Sequence, residues 1–476
     1  MNWKRRDFFQ ALMGGGFLLA AAKAWAAQHT QHMQQMQHGQ EQMVEPTAKP
    51  TTIPPDTFLS LETPDLPKLP WRMEDGVKVF HLVAEPVKRE FLPGKVVDVW
   101  GYNGSMPGPT IEVNQGDRVR LIVDNHLPEP TSMHWHGFEI PVEMDGVPGV
   151  TQDPIPPGGR FVYEFTLHQH GTFFYHSHMA MQEMLGMIGL FIMHPPKPYR
   201  PRVDKDFGLI FQGWAILPNN TVPNTLSMEF NWLTINGKAG PATTPLIVRL
   251  GDRVRVRMVN LGMDHHPIHL HGNTFYVTAT EGGRVPAAAW TPANTVLLGV
   301  AQARDVEFDA KYPGDWMLHC HLPHHMMNQM VSMVGPLTHG GQGMHTGMGM
   351  QEGMGIVRDS NALAEELGPS LGRAIGIGAE FEKPTTNLPL QQQEMPHAMQ
   401  DQPERVPGYP QDMFMAMDEV VAKPETYGLR PTWSGGMMGM MTLVRVLPPD
   451  LYAKVKELQA QGRTQAPPPM PMQHKH

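Results

Sequence analysis

The sequence predicts an all-β fold with two β-sandwich domains, on the basis of two observations. Between about residues 62 and 338, short alternations of apolar and polar residues are divided by Gly, Pro and Asn, as at 97–100 and 253–256. Alternation with a period of two is typical of strands, and many short strands between turn residues are typical of sandwiches. The second observation is that this pattern occurs twice.

The internal repeat divides this region into domain 1, residues 62–195, and domain 2, residues 205–338. Gly-Asp-Arg-Val at 116–119 returns at 251–254, an offset of 135 residues. At that offset, His-Trp-His-Gly at 134 corresponds to His-Leu-His-Gly at 269. Further on, His-Ser-His at 176 corresponds to His-Cys-His at 319, an offset of 143. The sequence contains no third copy of the repeat.

Composition narrows the classes of function. The 476 residues include 37 Lys and Arg against 46 Asp and Glu, a net charge of −9 without blocks of like charge. This balance argues against a nucleic-acid-binding surface. A single cysteine excludes an intrachain disulfide framework and a cluster of cysteine ligands. The 25 histidines and 37 methionines leave a metal site of imidazoles and thioethers open.

The N-terminal segment predicts export. Lys4, Arg5 and Arg6 precede an apolar stretch at 11–22, and Ala-Trp-Ala at 24–26 supplies small residues for cleavage. The stretch is shorter than the roughly 20 residues of a membrane span. We therefore expect residues 1–27 to be a twin-arginine signal peptide and the mature protein to be periplasmic, without a membrane span.

Two further segments have biased composition. Residues 28–61 are rich in His, Met and Gln and predict a disordered linker. Residues 339–476 predict a largely irregular extension rich in Met, Gly and Pro, with a short strand at 442–447 and a short helix at 451–460.

Ten histidines lie in four short motifs. In a strand, residues i and i+2 point to the same face, so each His-x-His pair directs two imidazoles to one place. Four pairs at equivalent positions of the repeat supply eight imidazoles, enough for a cluster of several copper ions, although imidazole also suits zinc, iron and nickel. The ten residues are His134, His136, His176, His178, His266, His269, His271, His319, His321 and His325.

The strand alternation separates Cys320 from the cluster. Its neighbours at 319 and 321 face the cluster, so Cys320 faces the opposite way. His266 lies an odd number of residues before His269 and His271, so its side chain also points away from the cluster. Cys320, His266, His325 and Met330 together are the thiolate, two imidazoles and weak axial thioether of a blue-copper site. The alternative is that Cys320 and Met330 are only buried apolar residues.

The first repeat is an internal control for this interpretation. Applying the same offsets, the four blue-copper positions of domain 2 fall on Thr131, Ser177, Gln182 and Met187. Domain 1 therefore has cluster histidines without a mononuclear site, and we expect one blue-copper centre per chain. Electrons taken at Cys320 could reach either neighbouring histidine through a single peptide bond.

With these four motifs in order, the chain resembles the multicopper oxidases over about residues 62–338. The resemblance implies cupredoxin-like Greek-key domains, and an enzyme that oxidises substrates one electron at a time and reduces dioxygen to water. It implies a type 1 copper on His266, Cys320, His325 and Met330, a type 2 copper on His134 and His269, and a type 3 pair on His136, His176, His178, His271, His319 and His321.

The number of domains implies an oligomer. Most laccase-type members have three domains, whereas this chain resembles the two-domain laccases. Those form head-to-tail homotrimers, with each cluster between domain 1 of one subunit and domain 2 of the next. We therefore expect a homotrimer.

Two positions concern proton delivery. Asp145 lies nine residues after His136, where related enzymes place a carboxylate beside the cluster, and a carboxylate there could act in general acid–base chemistry. Equally, Asp145-Gly146 is a turn signal. The residue after His325 is Met326, where some related oxidases carry a second acid.

The methionines outside the repeat predict copper handling, because thioethers favour Cu(I). The alternative is flexible tails that absorb oxidation. We expect Cu(I), phenols or both as substrates and a role in copper tolerance. A copper-storage protein without turnover, a general laccase and a copper nitrite reductase are the alternatives. The clustered residues are Met33, Met36, Met43, Met344, Met348, Met350, Met354, Met437, Met438, Met440 and Met441.

Overall fold

The computed structural model describes residues 58–179, 181–217, 220–326 and 416–461. These residues form 21 strands and one α-helix, which confirms the all-β prediction. In the described part of the chain, no helix has the length and hydropathy to cross a bilayer. The predicted signal peptide, the predicted linker up to residue 57, Met330 and the methionines at 344–354 lie outside the described residues.

Domain 1 is a sandwich of two sheets. Its strands are β1 Trp71–Glu74, β2 Val77–Leu92, β3 Lys95–Tyr102, β4 Gly108–Asn114, β5 Arg118–Asn125, β6 His134–His136, β7 Arg160–Thr166, β8 Gly171–His176 and β9 Ile188–His194. One sheet has the order β1-β2-β5-β7 with β3 beside β2, and the other has the order β4-β9-β8-β6. The apolar sides of both sheets enclose a core around the buried Trp135.

Domain 2 repeats this plan. Its strands are β10 Lys205–Trp214, β11 Trp232–Ile235, β12 Leu246–Arg249, β13 Arg253–Asn260, β14 His266–Leu270, β15 Phe275–Thr280, β16 Gly283–Arg284, β17 Thr291–Ala293, β18 Thr295–Leu298, β19 Gln302–Asp309, β20 Gly314–Cys320 and β21 Met441–Leu447. One sheet has the order β11-β10-β13-β19-β15-β16 with β17 beside β15, and the other has the order β12-β21-β20-β14-β18.

The C-terminal strand completes domain 2. The predicted strand and helix are present as β21 and as α1, Pro449–Gln461. β21 runs parallel to β12 and antiparallel to β20, so it lies inside the sheet that carries the histidine motifs. In domain 1, β9 lies in the same way between β4 and β8. Residues 441–447 therefore belong to the domain 2 sandwich, although the repeat predicted that this domain ends at 338.

The two domains are joined through a buried ionic network. Arg257 on β13 is 1% exposed and bonds through Nε to Oδ1 of Asp206 at 2.8 Å. Its Nη1 donates to Thr172 Oγ1 of domain 1 at 2.8 Å, and that hydroxyl donates to Asp305 Oδ1 at 2.7 Å. Because Thr172 lies on β8, this network fixes the strand that leads to His176.

The end of the predicted linker packs on the domains. Leu61 is 1% exposed, and its main-chain N–H donates to Oε1 of Glu112 at 3.1 Å. Phe58 stacks on His194 with ring centroids 5.1 Å apart. Residues 58–61, the last part of the predicted linker, therefore pack against the two domains.

Candidate metal centres

Three predicted ligands converge in a closed pocket of domain 2. His266 begins β14, Cys320 ends β20, and His325 lies in the 3-10 turn Pro323–Met326. Sγ of Cys320 is 3.3 Å from Nδ1 of His325 and 3.7 Å from Nδ1 of His266. The two Nδ1 atoms are 3.2 Å apart, and all three side chains are 0% exposed.

The chemistry of this pocket fits a trigonal copper site of one thiolate and two imidazoles. Burial lowers the pKa of His266 to about 3 and that of His325 to about 4, so both imidazoles are neutral and can bind a metal. Their Nε2 atoms are buried and have no hydrogen-bond partner. Burial raises the pKa of Cys320 to about 12, so a metal that binds the thiolate must displace a proton.

The outer edge of the pocket carries a second group of donors. Oδ2 of Asp264 lies 3.4 Å from Nε2 of His325, and the rings of His324 and His325 are 4.3 Å apart between centroids. Donor atoms of these three residues all lie within 4.8 Å of one another. Burial raises the pKa of Asp264 above its ordinary value.

The eight remaining histidines form two separate sets of four. In domain 1, His134 lies 5.2 Å from both His176 and His178 between ring centroids. In domain 2, His269 lies 5.6 Å from His319 and 5.4 Å from His321. Although all eight are among the described residues, no ring contact or hydrogen bond joins one set to the other. Each set contains four of the eight histidines that the sequence predicts as cluster ligands.

Burial keeps several of these imidazoles neutral. It lowers the pKa of His136 to about 4, and it lowers the pKa values of His134, His271 and His319. Nδ1 of His136 faces Nε2 of His176 at 3.3 Å, and Nε2 of His271 faces Nε2 of His319 at 3.0 Å. Closely spaced imidazole nitrogens of this kind suit copper, as they also suit zinc, iron and nickel.

Main-chain carbonyls fix the outward nitrogens of these rings. Nδ1 of His176 is 2.8 Å from the carbonyl of Ser177, and Nδ1 of His319 is 2.9 Å from that of Cys320. Nδ1 of His269 is 2.8 Å from the carbonyl of Asn294. Such contacts set the orientation and tautomer of metal-binding histidines.

Asp145 lies beside the domain 1 set. Its main-chain carbonyl is 2.7 Å from Nδ1 of His134, and its Oδ1 is 3.4 Å from the same nitrogen. It also ends the 3-10 turn Val142–Met144. Asp145 is thus both a turn residue and a carboxylate next to a cluster histidine.

A second carboxylate was missed by the sequence analysis. Oε1 of Glu183 lies 3.0 Å from Nδ1 of His176. The internal repeat could have identified it, because at an offset of 143 residues Glu183 corresponds to Met326, the position that the resemblance singles out for a second acid. Domain 1 therefore carries an acid at the position where domain 2 lacks one.

The counterpart of the Cys320 pocket in domain 1 is a hydrogen-bonded trio. Oε1 of Gln182 accepts from Oγ of Ser177 at 2.6 Å and from Oγ1 of Thr131 at 2.8 Å. All three residues are buried, and Nε2 of Gln182 donates to Glu129 Oε1 and to the carbonyl of Pro130. The offsets of the repeat thus selected residues that are neighbours in space, with polar groups that bond to one another.

The C-terminal methionines pack in the protein interior. Met440 is 0% exposed, and Met437 and Met441 are each 4% exposed. Met440 belongs to the core of domain 2, whereas Met437 and Met441 pack with Leu443 in a smaller apolar cluster. These three side chains are therefore shielded from solvent, and the prediction of copper gathering by exposed thioethers does not apply to them.

Comparison with known proteins identifies the family. Sequence models of multicopper oxidase domains match residues 84–198 and 217–335. The crystal structure of the blue copper oxidase from Nitrosomonas europaea superposes with a TM-score of 0.50 at 32% identity, over 53% of this chain and 81% of that one. The chain belongs to the multicopper oxidases. Its two sandwiches are therefore cupredoxin-like domains, and copper is the metal of this family.

Curated relatives of this multicopper oxidase cover both laccases and copper resistance proteins. Laccase-1 of Cryptococcus neoformans var. neoformans is 40% identical over 46% of this chain and 40% of its own length. Copper resistance protein A of Escherichia coli is 40% identical over 44% of this chain and 36% of its own length. The matched part of the chain thus spans at most 40% of the length of these two relatives.

Proposed function

We propose that this multicopper oxidase couples one-electron oxidation of a substrate at the Cys320 pocket to four-electron reduction of dioxygen to water at the histidine cluster. One observation supports this proposal most directly. Cys320 lies in the pocket with His266 and His325, whereas its two neighbours in sequence, His319 and His321, lie in the domain 2 histidine set. Copper, when bound, supplies the one-electron redox chemistry at both places. The storage alternative has less support, because storage does not need two pockets connected by one strand.

The proposed ligands follow this division. His266, Cys320 and His325 hold the type 1 copper, and His134 and His269 hold the type 2 copper. The type 3 pair is held by His136, His176, His178, His271, His319 and His321. The peptide bonds on either side of Cys320 give a short covalent path from the pocket to the cluster.

The carboxylates have different tasks in this proposal. Asp145, 3.4 Å from His134, is exposed enough to exchange protons with solvent and is the candidate general acid at the cluster. Asp264 lies at the other end of the electron path, beside Nε2 of His325 at the type 1 pocket.

We propose Cu(I) as a substrate, with small phenols as a second class, and copper tolerance as the role. The carboxylate of Asp264 and the imidazole of His324 can receive a cation at the edge of the pocket, next to His325. The similarity to copper resistance protein A supports the cuprous substrate, and the similarity to laccase-1 supports phenol oxidation.

The two half-clusters support a head-to-tail homotrimer. Each set of four histidines has an exposed member, His178 in domain 1 and His321 in domain 2. The domain 2 set of one chain can therefore contact the domain 1 set of another chain. In a closed head-to-tail ring, every domain 1 set is paired with a domain 2 set in this way. Periplasmic location after twin-arginine export, from the pattern at residues 1–27, completes the proposal.

Oxygen uptake tests the function. The full-length chain, loaded with copper, should show the blue absorption of a copper–thiolate bond and should consume dioxygen when Cu(I) or a phenol is added. Four Cu(I) ions oxidised per dioxygen indicate water as the product, whereas two indicate peroxide. Cys320→Ser should abolish both the blue band and turnover. Blue protein without oxygen uptake would favour the storage alternative, and uptake with phenols alone would make it a general laccase.

A further inference from the structure

Met440 occupies in domain 2 the position that Met187 occupies in domain 1. Met187 immediately precedes β9, whose register on β8 places the next residue opposite His176. Met440 immediately precedes β21, whose register on β20 places the next residue opposite His319. Because His176 and His319 are equivalent in the internal repeat, Met187 and Met440 are equivalent as well.

The main chain of Met440 bonds to two residues of the type 1 pocket. Its carbonyl accepts a hydrogen bond from the N–H of Cys320 at 3.1 Å. Its own N–H donates to the carbonyl of His325 at 2.9 Å. The backbone of Met440 therefore closes the pocket on the side where strand β21 begins.

Domain 1 repeats both bonds. The carbonyl of Met187 accepts from the N–H of Ser177 at 3.2 Å, and the N–H of Met187 donates to the carbonyl of Gln182 at 3.3 Å. Each methionine also follows a glycine in the left-handed region, with φ of 111° at Gly186 and 61° at Gly439. Ser177 and Gln182 are the counterparts of Cys320 and His325. The same pair of backbone hydrogen bonds therefore occurs at equivalent positions of the two domains.

The side chain of Met440 lies on the face of the sheet that carries the thiol. The register of the two strands, continued by one residue, puts Met440 directly opposite Cys320. Residues directly opposite in an antiparallel pair point to the same face, with Cβ atoms roughly 4.5–5.5 Å apart. Both side chains are 0% exposed and belong to the same buried cluster. A thioether at this position has the reach to approach a metal bound by the thiolate.

We propose that Met440 supplies the axial thioether of the type 1 copper, the role that the spacing after His325 assigns to Met330. The inference rests on the proposed function, since it concerns the same copper. The repeat in sequence equates Met187 with Met330, whereas the hydrogen bonds and strand register equate it with Met440. The ligand set of the pocket is then completed by the C-terminal strand.

Two matched variants of the full-length, copper-loaded chain test this assignment. Leucine conserves volume, so Met440→Leu should keep the core packed while removing the sulfur. Loss of an axial donor destabilises the cupric state relative to the cuprous state. M440L should therefore raise the reduction potential of the type 1 copper and change its blue absorption and paramagnetic resonance signals. Met330→Leu, the control, should leave all three unchanged.

An unchanged potential in M440L overturns the proposal, and so does a shift that occurs in M330L alone. If M440L does not accumulate as folded protein, Met440→Gln gives a second reading. An amide oxygen is a stronger donor to cupric ion than a thioether, so this variant should lower the potential. If the wild-type chain shows no blue band after copper loading, the proposed function itself is wrong, whichever methionine lies at the pocket.

Discussion

Glu183 lies with its Oε1 atom 3.0 Å from Nδ1 of His176, on the side of the ring away from the nitrogen that faces His136. The same nitrogen lies 2.8 Å from the carbonyl of Ser177, so the carboxylate adds to that contact in favouring a proton on Nδ1, which leaves Nε2 free to bind a metal. Carboxylate–histidine pairs of this kind raise ligand basicity and fix the tautomer. His319, the domain 2 counterpart, has only a main-chain carbonyl at this nitrogen.

Replacing Glu183 should weaken copper binding at the cluster. Glu183→Met copies the domain 2 sequence, and we expect it to lower copper affinity by about 10–100-fold, whereas Glu183→Gln keeps an acceptor oxygen and should lose less. Copper retained after dialysis against a graded series of chelator concentrations measures this, while the blue band reports that the type 1 pocket is intact. Glu229→Met, at an exposed carboxylate, is the control. Equal copper retention in E183M and wild type would contradict the role.

Mixed oligomers should recover activity that each variant lacks alone. His136→Ala disables the domain 1 half-cluster and His271→Ala the domain 2 half-cluster. In a head-to-tail ring formed by co-expression in equal amounts, about one quarter of the clusters combine two intact halves. We therefore expect roughly that fraction of wild-type oxygen uptake in the mixed protein. No recovery in co-purified mixed oligomers would show that each cluster is built within one chain.

Removing the charge of Asp264 should separate the two substrate classes. Asp264→Asn takes away the anionic donor beside His325, so kcat/KM for Cu(I) should fall about tenfold or more. A neutral phenol should lose less. Asp75→Asn, at an exposed turn in domain 1, is the matched control and should change neither value. An equal fall for Cu(I) and phenol would argue that Asp264 only supports the loop.

Glu112 should make the stability of domain 1 depend on pH. Burial raises the pKa of this carboxyl, but hydrogen bonds from His194 and Lys68 outweigh burial and bring the pKa down from 4.5 to about 2. The stabilisation is therefore complete above pH 4.5 and is lost as the pH falls to about 2. It is on the order of 3 kcal/mol at most.

Chemical unfolding across this range measures the effect. Glu112→Gln should have a lower free energy of unfolding than wild type at pH 6, and the difference should shrink steadily on acidification. A difference that is independent of pH would show that Glu112 acts through packing rather than through its charge.

Features governed by local rules could be predicted from the sequence. Alternation along a strand separated Cys320 from its neighbouring histidines, and the structure puts it in a different pocket from them. The offsets of the repeat predicted that Thr131, Ser177 and Gln182 are counterparts of the pocket residues. Their mutual hydrogen bonds were not predicted, because an offset gives position and not side-chain geometry.

Non-local features were not predictable in this way. The strand at 442–447 was expected, but its partners were not, because the register of β21 on β20 depends on residues more than a hundred positions apart. Glu183 was overlooked because a single acid in a methionine-rich run has no periodic pattern. Its correspondence with Met326 was the one sequence signal, and the distance to His176 shows which histidine it contacts.

The late position of β21 affects the order in which the molecule can be assembled during synthesis. All the described strands of domain 1 have been synthesised by residue 194. In domain 2, the sheet that contains β12 and β20 lacks the strand between them, β21, until residue 447 has been synthesised. The backbone hydrogen bonds that join Met440 to Cys320 and His325 form at that late stage. A chain that ends before residue 441 therefore lacks the strand that closes the thiolate pocket.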